Sequence, residues 1–338
     1  MELKDNKFYV DGVSAIELAN KYGTPLYVYE TAKMEQQYKH MVNAFNGVDL
    51  KILFACKALT NINVLKVFRS LGSGIDAVSH QEVELALKAG FKPEDIMFTP
   101  NCVSIEEYDK AVKMGVHINI DNISILEQFG HKYGGKVPVS VRINPHILAG
   151  GHEKISTGHI DSKFGISIYQ MPHLLRVIEA NNMIIDGVHM HTGSDILDVD
   201  VFIQATEILA DAAKNFKDLK FIDFGSGFKV PYKPDDISTD IDALGKKLSK
   251  KFKEFCKDYG RDLKLVFEPG KFLVSQAGYF LAKVNVIKQT TATVFAGLDT
   301  GLNHLIRPMF YDSFHEIVNI SKTTGNTRIY TVDRKSVV

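Results

Sequence analysis

A chain of 338 residues, 45% hydrophobic and 24% charged, has an ordinary globular make-up and, at about 150 residues per domain, holds two domains or one barrel with an appendage. Forty basic residues balance forty acidic ones, which removes the electrostatic reason to expect nucleic acid or a membrane surface as partner. No apolar run approaches the ~18 residues that span a bilayer; MELKDNKFYV lacks the apolar centre of a signal peptide, and Cys56, Cys102 and Cys256, too few to pair completely and without metal spacing, point to a reducing cytoplasm.

Along the chain, short β-branched or apolar runs alternate with helical patterns. The runs are KILFAC (51–56), GIDAV (74–78), DIMF (95–98), VHINI (116–120), VPVSVRI (137–143), IIDGVHM (184–190), LKFIDF (219–224) and LKLVF (263–267). Ser79 with Glu82, and Ser104 with Glu107, fit the capping box that starts a helix. Gly90 and Gly115 follow the last apolar turn, where a left-handed residue ends one. Strand–helix alternation predicts a parallel sheet with helical crossovers, and eight units over ~250 residues match an α/β fold of the (β/α)₈ TIM-barrel type. A doubly wound sheet has the same alternation, and counting strands does not show closure. After about residue 276 the pattern changes. YFLAKVNVIKQTTATVFAGLD is rich in valine, threonine and aromatics, and HEIVNISKTTGNTRIYTV reads as two strands joined at Gly325-Asn326. The expected organisation is an N-terminal segment (1–24) adding a strand to a β domain, a barrel (25–275) and a C-terminal β domain (276–338).

In either α/β fold, function gathers beyond the carboxyl ends of the strands. Lys57 stands there after the first run. Its bland reading is a lysine reaching water from a strand end; the sharper one is a partly desolvated amine of lowered pKa, able to form a Schiff base. Asp76 ends the second run and Arg142 lies in the fifth. The sixth leads into HMHTGSD, where His189 and His191 share one face of a strand and so form either a metal pair or one core and one site residue. The seventh leads into DFGSGF, whose Gly225, Ser226 and Gly227 form a loop able to bring backbone amides to an anion. The eighth ends in Glu268-Pro269-Gly270-Lys271. A nucleophilic lysine, an anion loop, a flat imidazole and a carboxylate on one rim are what pyridoxal 5′-phosphate requires: an amine for its aldehyde, amides for its phosphate, a stacking partner for its ring and an anion for its pyridine nitrogen.

FACKA (54–58), DAVS (76–79), STGHIDSKFGIS (156–167), HTGSDI (191–196), DFGSGF (223–228), EPGK (268–271) and LDTGLNHLIRPMFYDSFHEI (298–317), in order, resemble the diaminopimelate decarboxylases, pyridoxal-phosphate enzymes on an alanine-racemase-like barrel. The resemblance implies that Lys57 binds the cofactor aldehyde and that His191 stacks on the ring. It gives Glu268 the ring nitrogen, and Ser194, Gly225, Ser226, Gly227 and Gly270 the phosphate. Asp76 and Arg142 would order the lysine and the cofactor's oxygen side. Arg307 and Tyr311, assisted by Lys271, would grip a substrate carboxylate. It implies decarboxylation of meso-2,6-diaminopimelate to L-lysine and carbon dioxide by a cytoplasmic homodimer with sites at the subunit interface, and no metal. Alternatives are a decarboxylase of ornithine or carboxynorspermidine, or a pyridoxal-phosphate-binding protein with little turnover.

Two departures from the family pattern stand out. EPGR is usual where this chain has Lys271, and an ammonium lacks the bidentate fork of a guanidinium. Family members also continue beyond the YTV strand into a Cys-Glu-Ser motif and a Gly-Ala-Tyr motif, whereas YTVDRKSVV closes this sequence. The expectation is a truncated β domain and slowed turnover.

Overall fold

The structure, a computed structural model, describes residues 1–147 and 162–333. The first half of the STGHIDSKFGIS stretch, 156–161, lies outside the described residues, as do the last five positions, 334–338.

Each of the eight runs forms a strand. They are β1 (Leu50–Ala55), β2 (Gly74–Ala77), β3 (Ile96–Phe98), β4 (His117–Ile120), β5 (Val139–Asn144), β6 (Ile185–His189), β7 (Phe221–Asp223) and β8 (Lys264–Phe267). Neighbours pair in parallel in sequence order. β8 then pairs with β1, Leu265 opposite Leu50 and Phe267 opposite Ile52, so the sheet closes into an eight-stranded ring. That pairing excludes the doubly wound alternative. A short strand, Ile166–Ser167, adds to β5 from outside the ring.

Alternation along the strands sorts the side chains into two layers. Phe54 turns outward and stacks on Phe68 at 4.2 Å. Phe267 meets Phe45, Phe202, Phe224 and Phe228 at centroid distances of 4.8–6.4 Å. Each such buried phenylalanine contributes ~1.5–3 kcal/mol of apolar transfer. Leu53, Met97 and Val266 pack together with Phe221 against them. Towards the carboxyl ends, Asn119, Arg142, Asp76, His189, Asp223 and Glu268 are all buried. The strands thus deliver a polar layer to one end of the barrel.

The helix His80–Ala89 is capped as expected: Ser79 Oγ accepts from Glu82 N–H at 3.3 Å, and Gly90 adopts φ +94°. Glu82 reaches back one residue further than a strict box, to Val78 N–H at 2.8 Å. Ser104 sits at the N-cap of Ile105–Met114 without a side-chain bond to a backbone amide, so the second box does not form.

By contact density the chain divides into two units: one of residues 34–230 and 237–276, the other of residues 1–33, 231–236 and 277 onward. The barrel is the first. The second holds three small sheets: Glu2–Lys4 with Lys7–Val10 and Val13–Ser14; Leu26–Tyr29 antiparallel to Gly278–Leu281; and Val284–Gln289, Val294–Leu298 and Thr331–Asp333. The hairpin expected at Gly325-Asn326 is absent; of that stretch only Thr331–Asp333 is a strand, pairing in parallel with Val294–Leu298. Ile317, Val318 and Ile329 are exposed, and two strands with no apolar face to cover do not hold together.

Candidate active site

Lys57 sits in a single 3₁₀ turn, Cys56–Ala58, that takes over where β1 ends. The loop after β8 braces this turn: Ala55 N–H donates to Pro269 O at 3.3 Å, and a Cβ on Gly270 would meet that of Ala58 at 2.8 Å. The Lys57 side chain is 55% exposed, yet its ammonium lies 3.2 Å from Oδ2 of the fully buried Asp76. Neither sequence reading of the lysine is quite met. It is paired rather than simply solvated, and its pKa is raised, not lowered. The Asp76 carboxylate is the largest cause; desolvation pulls the other way, Glu268 adds to the rise and Arg142 opposes it. The neighbouring Cys56 thiol is buried and pushed up to about 12, so it stays protonated and inert.

His191 follows β6, and its Nδ1 accepts the Ser226 N–H at 3.3 Å. Burial, then the positive charges of Arg142 and Lys57, hold its pKa well below the ordinary value. The ring is therefore a neutral, flat acceptor. His189, two residues earlier at the end of β6, has another partner: its Nε2 lies 3.0 Å from Oε2 of Glu268. The two histidines do not converge as a metal pair.

The loops after β6 and β7 are knitted together. Ile196 N–H donates to Gly227 O at 2.8 Å, and Glu268 N–H to Gly225 O at 2.7 Å. Gly227 has φ +113°, and a Cβ there would stand 2.0 Å from Gly193 O; Gly225 has φ +65° and would meet Met190 O at 2.4 Å. Of the three loop amides, Gly225 N–H is taken by Asp223 Oδ1 at 2.7 Å and Ser226 N–H by His191. Ser194 lies in the facing loop, partly buried. Lys271 is tied to Asp195, Nζ to Oδ1 2.5 Å.

Arg142 is buried in β5, with its guanidinium 4.8 Å from the centre of the Phe164 ring. Around it stand buried oxygens that find no hydrogen-bond partner among the described residues: Asp76 Oδ1, Glu268 Oε1 and Asp223 Oδ2. The barrel unit thus brings together Lys57, Asp76, Arg142, His191, Ser194, Gly225, Ser226, Gly227, Glu268, Gly270 and Lys271. Arg307 and Tyr311 belong to the other unit, on the short helix Arg307–Tyr311. There Arg307 donates to Tyr232 Oη at 3.1 Å and Ser313 Oγ at 3.2 Å, and Tyr311 is exposed. Sequence reasoning passed over Asp223 and Asp195. Strand parity could have found Asp223, which shares the inward face of β7 with Phe221.

Residues 31–275 match the family profile described as pyridoxal-dependent decarboxylase, pyridoxal binding domain. A diaminopimelate decarboxylase from Methanothermobacter thermautotrophicus is 38% identical over 317 residues, 91% of this chain and 74% of the relative. The chain belongs to the diaminopimelate decarboxylase family. Another member, from Pseudomonas fluorescens, is 33% identical over 97% of this chain and 80% of its own length. A diaminopimelate decarboxylase of M. jannaschii, solved in co-complex with L-lysine, superposes with a TM-score of 0.89 at 30% identity, covering 100% of this chain and 81% of that one. The family's cofactor is pyridoxal phosphate, and the residues present fit it. The carboxylate oxygens without partners and the loop that admits no Cβ suit a group with a cationic ring nitrogen and an anionic tail.

Proposed function

We infer that this protein decarboxylates meso-2,6-diaminopimelate at one α-carbon, releasing carbon dioxide and L-lysine, with pyridoxal phosphate as cofactor. The observation that carries this is the Lys57–Asp76 pair set at the rim of the closed barrel, beside Glu268 and a neutral His191, in a chain of this family.

When bound, the cofactor supplies a conjugated sink for the electron pair left by the departing carboxyl group. The chain's residues do the rest. Lys57 is the amine that engages the aldehyde, and Asp76 holds it in place and keeps a proton at hand. His191, held by Ser226 N–H, offers its flat face to the ring. Glu268 keeps negative charge at the ring nitrogen. Ser194, the loop Gly225–Ser226–Gly227 and Gly270 hold the phosphate, while Arg142 supplies positive charge on the cofactor's oxygen side. Lys271, Arg307 and Tyr311 are assigned to substrate carboxylates on the family pattern. We further assign the protein to the cytoplasm, consistent with three free cysteines, and to a homodimer.

A substrate panel tests the reading. Carbon dioxide release should be fastest from meso-diaminopimelate, with ornithine and carboxynorspermidine far behind. Faster release from ornithine would overturn it.

A further inference from the structure

Behind the rim, three buried side chains from adjacent strands meet, and among the described residues no cation is hydrogen-bonded to any of them. His189 ends β6, Asp223 ends β7 and Glu268 follows β8. One nitrogen or oxygen of each lies within 4.8 Å of those of the other two. Glu268 Oε2 is engaged by His189 Nε2 and Asp223 Oδ1 by Gly225 N–H, while Glu268 Oε1 and Asp223 Oδ2 find no donor among the described residues. Two carboxylates satisfy one another only when one of them carries a proton.

The wider charge count points the same way. Asp76, Asp121, Asp223 and Glu268 face two cations, Lys57 and Arg142, with His189 and His191 neutral. The two acids are not equivalent. Burial raises the Glu268 carboxyl as well, but Lys57 and Arg142 oppose that rise, and its Oε2 lies 3.0 Å from Nε2 of the neutral His189, which can donate to it. Burial, then the charge of Glu268, pushes the Asp223 carboxyl well above its ordinary value.

We propose that Asp223 is a positioning residue which stays a neutral acid and donates its proton to Glu268, so that Glu268, held also by His189, remains the anion at the cofactor's ring nitrogen. An acceptor already satisfied by two donors is less basic, and does not strip the proton from the ring nitrogen it faces. The sink stays protonated because Asp223 does. The inference rests on the pyridoxal-phosphate reading of the site, but not on which amino acid is decarboxylated.

The test uses the holoenzyme labelled at aspartate carboxyl carbons. Infrared spectra at neutral pH should show the carbonyl stretch of an un-ionised aspartic acid, absent in Asp223→Asn. An asparagine can still accept from Gly225 N–H and donate to Glu268, so it imitates the neutral acid and not the carboxylate. Asp223→Ala should shift the pH titration of the cofactor's visible absorbance and lower kcat on the order of tenfold to a hundredfold, with KM little changed. Asp223→Asn should recover most of both. A spectrum without the acid band, a band that persists in Asp223→Asn, or an asparagine variant as impaired as the alanine one would overturn the proposal. The infrared arm needs no substrate, so a mistaken substrate class would leave it standing.

Discussion

Lys57 stood out by its position at the end of a buried run, but position alone left it open between a lysine reaching water and a nucleophile; the other strand-end residues and the motif resemblance were needed to single it out. The direction of its titration was not legible. That depends on Asp76, nineteen positions on and one strand over, whose carboxylate outweighs desolvation of the amine. The same holds for Glu268. The sequence marked it as a strand-end carboxylate, but its contact with His189, two strands away in the ring, appears only once strand register is set. Its role makes a sharp expectation. Glu268→Ala should bind pyridoxal phosphate by absorbance nearly as well as the parent, since Lys57 and the Gly225–Gly227 loop proposed to hold the phosphate are untouched, yet lose about 10²–10³ in kcat. A variant with near-parental turnover would show that the ring nitrogen needs no anion here.

Elements were most legible where the chain is buried on both faces. The eight barrel strands appear as continuous apolar runs for that reason, and all eight form. The hairpin near Gly325 failed because turn chemistry and β-branched residues do not hold strands that have nothing to cover. Ser104 shows the limit of a local pattern: the spacing is right, but its hydroxyl makes no bond to a backbone amide. The glycines of the β7 loop were legible as flexible, though not as obligatory. Gly227→Ala would force a Cβ to within 2.0 Å of the Gly193 carbonyl at φ +113°. Strain of that kind costs about 1–3 kcal/mol, and denaturant unfolding should register it. Cofactor affinity should fall as well, because the loop after β6 must yield. Unchanged stability would mean that the two loops are not braced against one another.

For the molecule as a whole, buried carboxyls set how stability responds to pH. Asp223 has an ordinary value of 3.8 when unfolded and a much higher one when folded. Above 3.8 the native state therefore holds a proton that the unfolded chain has lost, and stability falls as pH rises towards the folded value. His117, His189 and His191, lowered by burial, tilt the curve the other way below their ordinary 6.5. Comparing parent and Asp223→Asn cancels the histidines. The variant should gain stability relative to the parent as pH rises from about 4 towards neutrality, and a constant difference in Tm would contradict this.

Closure of the ring carries a further consequence, for how the chain reaches its native state. Leu50 and Leu265 are strand neighbours, so β1 has no partner on one side until almost the whole barrel has been synthesised. Joining distant segments is not in itself forbidding, since doubling a loop adds only about 0.6 kcal/mol of closure entropy. The delay matters more. An emerging chain presents the unpaired edge of LKILFA to its surroundings throughout translation, and parallel pairing between distant segments is slow to mature. The strand that leads into Lys57 is thus also the strand most exposed to misassociation during biosynthesis, and its protection falls to whatever shields nascent chains in the cell.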